Sequence, residues 1–346
     1  MKKMRWNKLL STKRVSELKE CKQEFKKSQY KDLRNPFERD CDQIIYSYPF
    51  RRLQDKTQVI PFPVFDFVHT RLTHSLEVAT VGRSLGNLAG GFLKKKGELP
   101  KKIESHFLGD LVSAGCLAHD IGNPPFGHSG EDSISNYFIA EENIISLMIE
   151  NENTGKIYTD EKEEAKDNKI FLESNELLLR VKKWIDLKRF EGNANGFRIL
   201  TNCFEKGINP TLAFLGVFTK YPRESYFKGE LQGGKRPKGE RKSQEKYGFF
   251  QSEREVFKNV AKELGLIEFN GRDKINYGWL RHPLTFLMEA ADDICYQMID
   301  FEDGCRLNLI NYYEPLKISI KIKGKNVFTH QRYAINLTLP KHFENF

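Results

Sequence analysis

The amino-acid sequence predicts a mainly α-helical protein, and three observations carry that expectation. From Leu72 onward, Leu76, Ala79, Leu85 and Leu88 recur at helical spacing. Leu108 to Leu117 is an apolar run that reads as a second, buried helix, and Pro283 opens a third, PLTFLMEAADDICYQMIDFEDG. Few stretches of the first 300 residues read as strands.

With 346 residues, 39% hydrophobic and 30% charged, the chain has the composition of a soluble globular protein with a sizeable core. No apolar run approaches the ~20 residues of a membrane span. The basic N-terminus, MKKMRWNKLLSTKRV, lacks the apolar core of a secretory signal. Six scattered cysteines without CxxC spacing read as reduced thiols, so a cytoplasmic location is expected. The net charge of +9 suits a phosphate-bearing ligand, or nucleic acid held non-specifically, and does not choose between them.

Taken in order, residues 1–34 read as a basic, amphipathic or partly ordered N-terminal arm. Asn35-Pro36-Phe37-Glu38 marks a helix start, because proline suits a first turn and the acids that follow face the positive end of the helix dipole. YSYPFRRLQDKTQV then gathers Arg51, Arg52, Gln54, Lys56 and Gln58, either an exposed basic turn or one wall of an anionic pocket. Residues 61–70 read as a buried irregular connection, after which Thr70 or Thr73 caps a helix with His74 in its first turn. The helix from Leu108 delivers His119 and Asp120 into AHDIGNPPFGHSGE, residues 118–131, where two prolines and several glycines predict a shaped loop. A charged surface stretch at 151–169 precedes helical periodicity from Leu177 to Phe190 and a glycine-containing bend with Asn193, Asn195 and Arg198. A further apolar helix follows Pro210 and ends in Thr219-Lys220-Tyr221-Pro222-Arg223. Residues 229–243 read as a flexible basic loop, and the segment from Lys317 alternates like a β-hairpin.

The chemistry-bearing residues are His74, the His119–Asp120 pair, and Asp292 or Asp293. Two imidazoles and two carboxylates on different helices suit a borderline or hard divalent ion such as Mg, Mn or Fe, with vacant positions for water and a phosphate oxygen. Helical geometry puts Asp292, Tyr296 and Asp300 in one row, opposite Leu287, Ala291, Ile294 and Met298. That row is also what a solvated helix face looks like, and spacing leaves Asp292 and Asp293 nearly even.

R-x-x-H at 71–74, HD at 119–120, GNPPFGHSGE and EAADDICY at 289–296, in this order and with RRLQDKTQV, resemble the HD-domain deoxyguanosinetriphosphate triphosphohydrolase family. The resemblance spans residues 35–304, the expected triphosphohydrolase core, and leaves 305–346 as an atypical C-terminal tail. Family members commonly continue as a helical C-terminal region, so a truncated or altered product is an expectation.

The resemblance implies a helical metallohydrolase fold and hydrolysis of dGTP, or a wider set of dNTPs, to deoxynucleoside and tripolyphosphate. It implies a divalent metal on His74, His119, Asp120 and Asp292, with His128 catalytic and Glu131 positioning it. Gln54, Arg71, Asn193, Lys220, Tyr221, Lys246, Tyr296 and Asp300 look like the substrate-binding residues. The expected protein is an oligomer, with dNTPs and single-stranded nucleic acid as partners. Two rival expectations are an HD phosphohydrolase acting on another nucleotide, and a catalytically silent dNTP or nucleic-acid binder.

Overall fold

Asn35 starts a helix for a local reason: its side-chain oxygen accepts from the backbone N–H of Phe37 (3.0 Å) and Glu38 (2.9 Å), while Pro36 gives up no needed donor. This helix, α2 (Pro36–Ile45), follows a short α1 (Trp6–Leu9) and precedes α3 (Tyr48–Arg51). The structure, a computed structural model, describes residues 4–19, 32–58, 67–140, 185–202, 208–225, 246–270, 277–307 and 309. The remaining long helices of the described residues are α4 (Arg71–Lys95), α5 (Phe107–Ala118), α6 (Gly127–Ala140), α7 (Gly192–Thr201), α8 (Leu212–Phe218), α9 (Arg254–Leu264) and α10 (Thr285–Arg306). The fold is mainly helical, as the sequence predicts.

Helix α5 is the centre. Every residue from Leu108 to Ala118 is buried, which a helix apolar on all sides requires, and α2, α4 and α8 pack against it. Helix α4 meets the α5 backbone at Gly86, where an added Cβ would lie 2.5 Å from the Leu108 carbonyl oxygen and 2.7 Å from Gly109 Cα. The apolar patterns of both helices thus serve one contact, and that contact brings the start of α4 beside the end of α5.

Residues 4–19 do not behave as a free arm. Leu9, Leu10 and Val15 are buried, the Val15 N–H donates to the Pro210 carbonyl (3.0 Å), and the Arg14 guanidinium pairs with buried Asp40 (2.9 Å). His282 accepts the Leu284 N–H on Nδ1 (3.1 Å), so its Nε2–H donates to the Leu9 carbonyl (3.1 Å), and burial pushes its pKa down to about 4.

One small antiparallel pair was not foreseen: β1 (Glu268–Asn270) and β2 (Tyr277–Trp279), with Phe269 opposite Gly278. The hairpin expected from Lys317, the stretch 151–169, the loop 229–243, residues 61–66 and most of the tail 305–346 lie outside the described residues. The chain divides into two compact units, residues 1–295 and 296–346, with the division inside α10. Among the described residues no helix is long and apolar enough to cross a membrane.

Candidate active site

Thr70 caps α4 by accepting the Thr73 N–H, which fixes the first turn and aims Arg71 and His74 inward. His74 is 1% exposed, and its Nε2 lies 3.1 Å from Asp292 Oδ1 on α10. His119, at the end of α5, comes up beside it with ring centroids 5.2 Å apart, and its Nε2 is 3.6 Å from the same Asp292 oxygen. One ligand atom from each of His74, His119 and Asp292 lies within 4.8 Å of the others.

These residues fit a divalent metal on their own chemistry. His119 Nδ1 is 2.7 Å from the Cys116 carbonyl, an acceptor only, so Nδ1 carries the proton and Nε2 presents a lone pair to the cluster. Two imidazole nitrogens and a carboxylate oxygen make a donor set for a borderline or hard ion. Burial resists ionisation of Asp292, but His119, His74 and Lys220 outweigh it and hold its carboxyl well below the usual range. Lys220 Nζ lies 3.0 Å from Asp292 Oδ2; burial favours loss of its proton, yet Asp292 wins and raises its pKa.

Asp120 sits next to His119 with Oδ1 3.6 Å from His119 Nε2, but other partners hold the carboxylate as well. Arg71 Nη1 donates to Oδ2 (2.5 Å) and Asn123 Nδ2 to Oδ1 (2.6 Å). Burial pushes the Asp120 pKa up, and His119 and Arg71 more than reverse it. Three of the four expected ligands, His74, His119 and Asp292, are thus brought together, while Asp120 lies beside His119 with its two carboxylate oxygens held by Arg71 and Asn123. The alternative Asp293 is exposed.

The segment 118–131 is only half loop. Residues 119–126 form the proline turn, and Phe126 (φ 64°) and Gly127 (φ 54°) take left-handed backbone that swings the chain into α6. His128 and Glu131 thus lie one turn apart on a helix that the glycines argued against. Tertiary contact overrides propensity here: buried Glu131 accepts the Gly192 N–H on Oε1 (2.7 Å) and bonds His128 Nδ1 with Oε2 (2.8 Å). The His128 side chain is 81% exposed, so its other ring nitrogen faces solvent. Asn193, Asn195 and Arg198 likewise belong to α7 rather than to a bend, because Glu191 caps that helix.

Lys246 joins this second cluster, with Nζ 3.2 Å from Glu191 Oε1 and 3.8 Å from Glu131 Oε2. Glu191 also accepts from Asn193 Nδ2 (2.8 Å). Tyr221 follows Lys220 in the chain and is partly buried. Gln54 is exposed on a 3-10 turn spanning Arg52–Asp55, whose neighbour Lys56 donates to the Asn123 carbonyl. Tyr296 is exposed on α10, and the Asp300 side chain lies outside the described residues. The buried face of α10 over 285–295 runs through Thr285, Met288, Ala291 and Cys295, rotated from the expected row of Leu287, Ala291, Ile294 and Met298.

Sequence reasoning missed Glu191, Asn123 and Arg281. Glu191 had a readable signal, an acid immediately before the helix-starting GNANG; Asn123 bonds Asp120 within the turn that carries both, and Arg281 reaches Lys220 61 positions away, a meeting that spacing does not reveal.

The chain is similar in sequence to known proteins. Residues 71–212 match the family model described as the HD domain. A deoxyguanosinetriphosphate triphosphohydrolase-like protein of Synechocystis sp. is 44% identical over 313 residues, 89% of this chain and 62% of the relative. A protein of the same description from Pseudomonas aeruginosa is 41% identical over 298 residues, covering 85% and 57% of the two chains. A deoxyguanosinetriphosphate triphosphohydrolase of Yersinia enterocolitica is 36% identical over 290 residues, 81% of this chain and 52% of the relative. The chain spans between about half and six-tenths of the length of these relatives.

Proposed function

We propose that this chain, which belongs to the HD-domain family, is a metal-dependent phosphohydrolase that converts dGTP, within a wider set of dNTPs, to the deoxynucleoside and intact tripolyphosphate. The observation that carries this reading is the pairing of two separate centres. His74, His119 and Asp292 converge beside Arg71 and Lys220, while the His128–Glu131 pair stands on α6 with its imidazole open to solvent. The names of the three relatives support the choice of nucleotide.

His74, His119, Asp292 and Asp120 would hold the ion. When bound, a divalent cation there supplies a Lewis acid that draws charge from a phosphoryl oxygen. Arg71, anchored by Asp120, adds a fixed positive charge at the same place, and Lys220, Tyr221, Asn193 and Lys246 bind and orient the triphosphate. Water attacks the α-phosphorus in line, the bond from phosphorus to the 5′-oxygen breaks, and that oxygen takes a proton as the deoxynucleoside leaves. Glu131 occupies Nδ1 of His128, so His128 moves its proton at Nε2.

The test is product analysis. The purified chain, supplied with Mg or Mn and each of the four dNTPs, is expected to release deoxyguanosine and tripolyphosphate from dGTP in equal amounts by HPLC. Stepwise appearance of dGDP and dGMP would replace this reading with another nucleotide phosphohydrolase, and salt-sensitive binding without turnover would replace it with a silent binder.

A further inference from the structure

We infer that Arg281 is a positioning residue that holds the Lys220–Tyr221 strip in place for a triphosphate chain. Its side chain is 5% exposed. Nε donates to the Lys220 carbonyl (2.6 Å) and Nη1 to Glu289 Oε2 (2.6 Å), while the guanidinium lies 5.5 Å from the Tyr221 ring centroid and 5.6 Å from that of Phe286.

A charged group buried between two aromatic rings is a costly way to fill space, and an apolar side chain of similar volume would fill it without desolvating a cation. What the guanidinium adds is geometry. Glu289 stands one helical turn before Asp292 on α10, so Arg281 ties the Lys220 main chain to the turn of helix that supplies Asp292. Asp292 meanwhile holds the Lys220 ammonium at 3.0 Å. Lys220 is thus fixed at both ends, backbone and charge, and the ring of Tyr221 is fixed by stacking. The consequence is a fixed place for the Lys220 ammonium at the edge of the His74–His119–Asp292 cluster, where it meets a phosphate of the chain bound there.

The inference rests on the triphosphate reading above, and the experiment separates the two. Affinity of the full chain for inorganic tripolyphosphate is measured in the presence of Mg, alongside kcat and KM for dGTP, for wild type, Arg281→Met, Glu289→Gln, Lys220→Met and the Lys220→Met/Arg281→Met double variant. Arg281→Met is expected to weaken tripolyphosphate by about tenfold or more and to raise KM more than it lowers kcat. In the Lys220→Met background the same change is expected to cost less than about twofold, because the residue it acts through is gone. Affinity of Arg281→Met for Mn in the absence of nucleotide is expected to be unchanged.

A full, additive loss in the Lys220→Met background would reduce Arg281 to a structural residue and overturn the inference. So would unchanged tripolyphosphate affinity in folded variants of an otherwise active enzyme. If Arg281→Met does not fold, Glu289→Gln removes the charge at the other end of the same anchor and carries the comparison. A wild type that neither binds tripolyphosphate nor releases it from dGTP would overturn the functional reading, and this inference with it.

Discussion

His128 differs from His74 and His119 in every physical respect that matters for its role. The two cluster histidines are buried with side chains 1% and 6% exposed, whereas the His128 side chain is 81% exposed and anchored through Nδ1 on Glu131. Glu131 is the rigid end of the pair, fixed by the Gly192 N–H at 2.7 Å. An exposed ring adds little to stability, so removing it tests chemistry with little disturbance to the fold. His128→Gln is expected to lower kcat by ~10²- to 10⁴-fold. Its Mn affinity and thermal midpoint are expected to match wild type. A variant that keeps full kcat would remove His128 from the proton transfer, and one that loses Mn would make it part of the metal site.

At the scale of elements, the α4–α5 contact sets two rules against each other at neighbouring glycines. Helix propensity says that replacing a helical glycine by alanine gains about 1 kcal/mol. At Gly91 nothing lies within 4 Å of the added Cβ, so Gly91→Ala is expected to raise stability by up to that amount. At Gly86 the Cβ would meet backbone of α5 at 2.5 to 2.9 Å, and backbone has no rotamer to swing aside. Gly86→Ala is expected to destabilise by about 1–3 kcal/mol and, since α4 carries Arg71 and His74, to weaken Mn binding as well. Urea titration of both variants checks this; Gly86→Ala as stable as Gly91→Ala would mean that the helices part freely. The same contrast explains what the sequence reveals. Asn35-Pro36, Thr70 and the run from Leu108 act within a few residues of themselves and are readable. The start of α6 at Gly127 depends on Glu131 meeting the Gly192 N–H from another segment, and single-sequence spacing carries no trace of such a meeting; the helix through Asn193 is capped locally by Glu191, a signal the sequence does carry. Asp292 was separable from Asp293 only through the family resemblance; in the structure the α10 core face, running through Met288, Ala291 and Cys295, leaves Asp293 exposed and Asp292 beside His74.

At the scale of the whole molecule, the proposed metal donors come from three segments that only the finished fold assembles. His74 and Asp292 meet across 218 positions of chain, and His119 enters from the end of the central helix. The unfolded chain holds no such cluster, so any ion bound by it stabilises the native state by mass action. Raising Mn to about 100 times its dissociation constant is expected to add ~2.7 kcal/mol to the unfolding free energy, read as a rise of a few degrees in the thermal midpoint. Chelation should return the midpoint to its starting value. His119→Ala removes a donor whose ring also packs on His74 and bonds the Cys116 carbonyl, so its midpoint without metal should fall while the increment from Mn disappears. An undiminished increment in His119→Ala would place the ion elsewhere. Because the donors span α4, α5 and α10, loosening any one of these helices is expected to weaken Mn binding in proportion to how far it lowers the population of the assembled state.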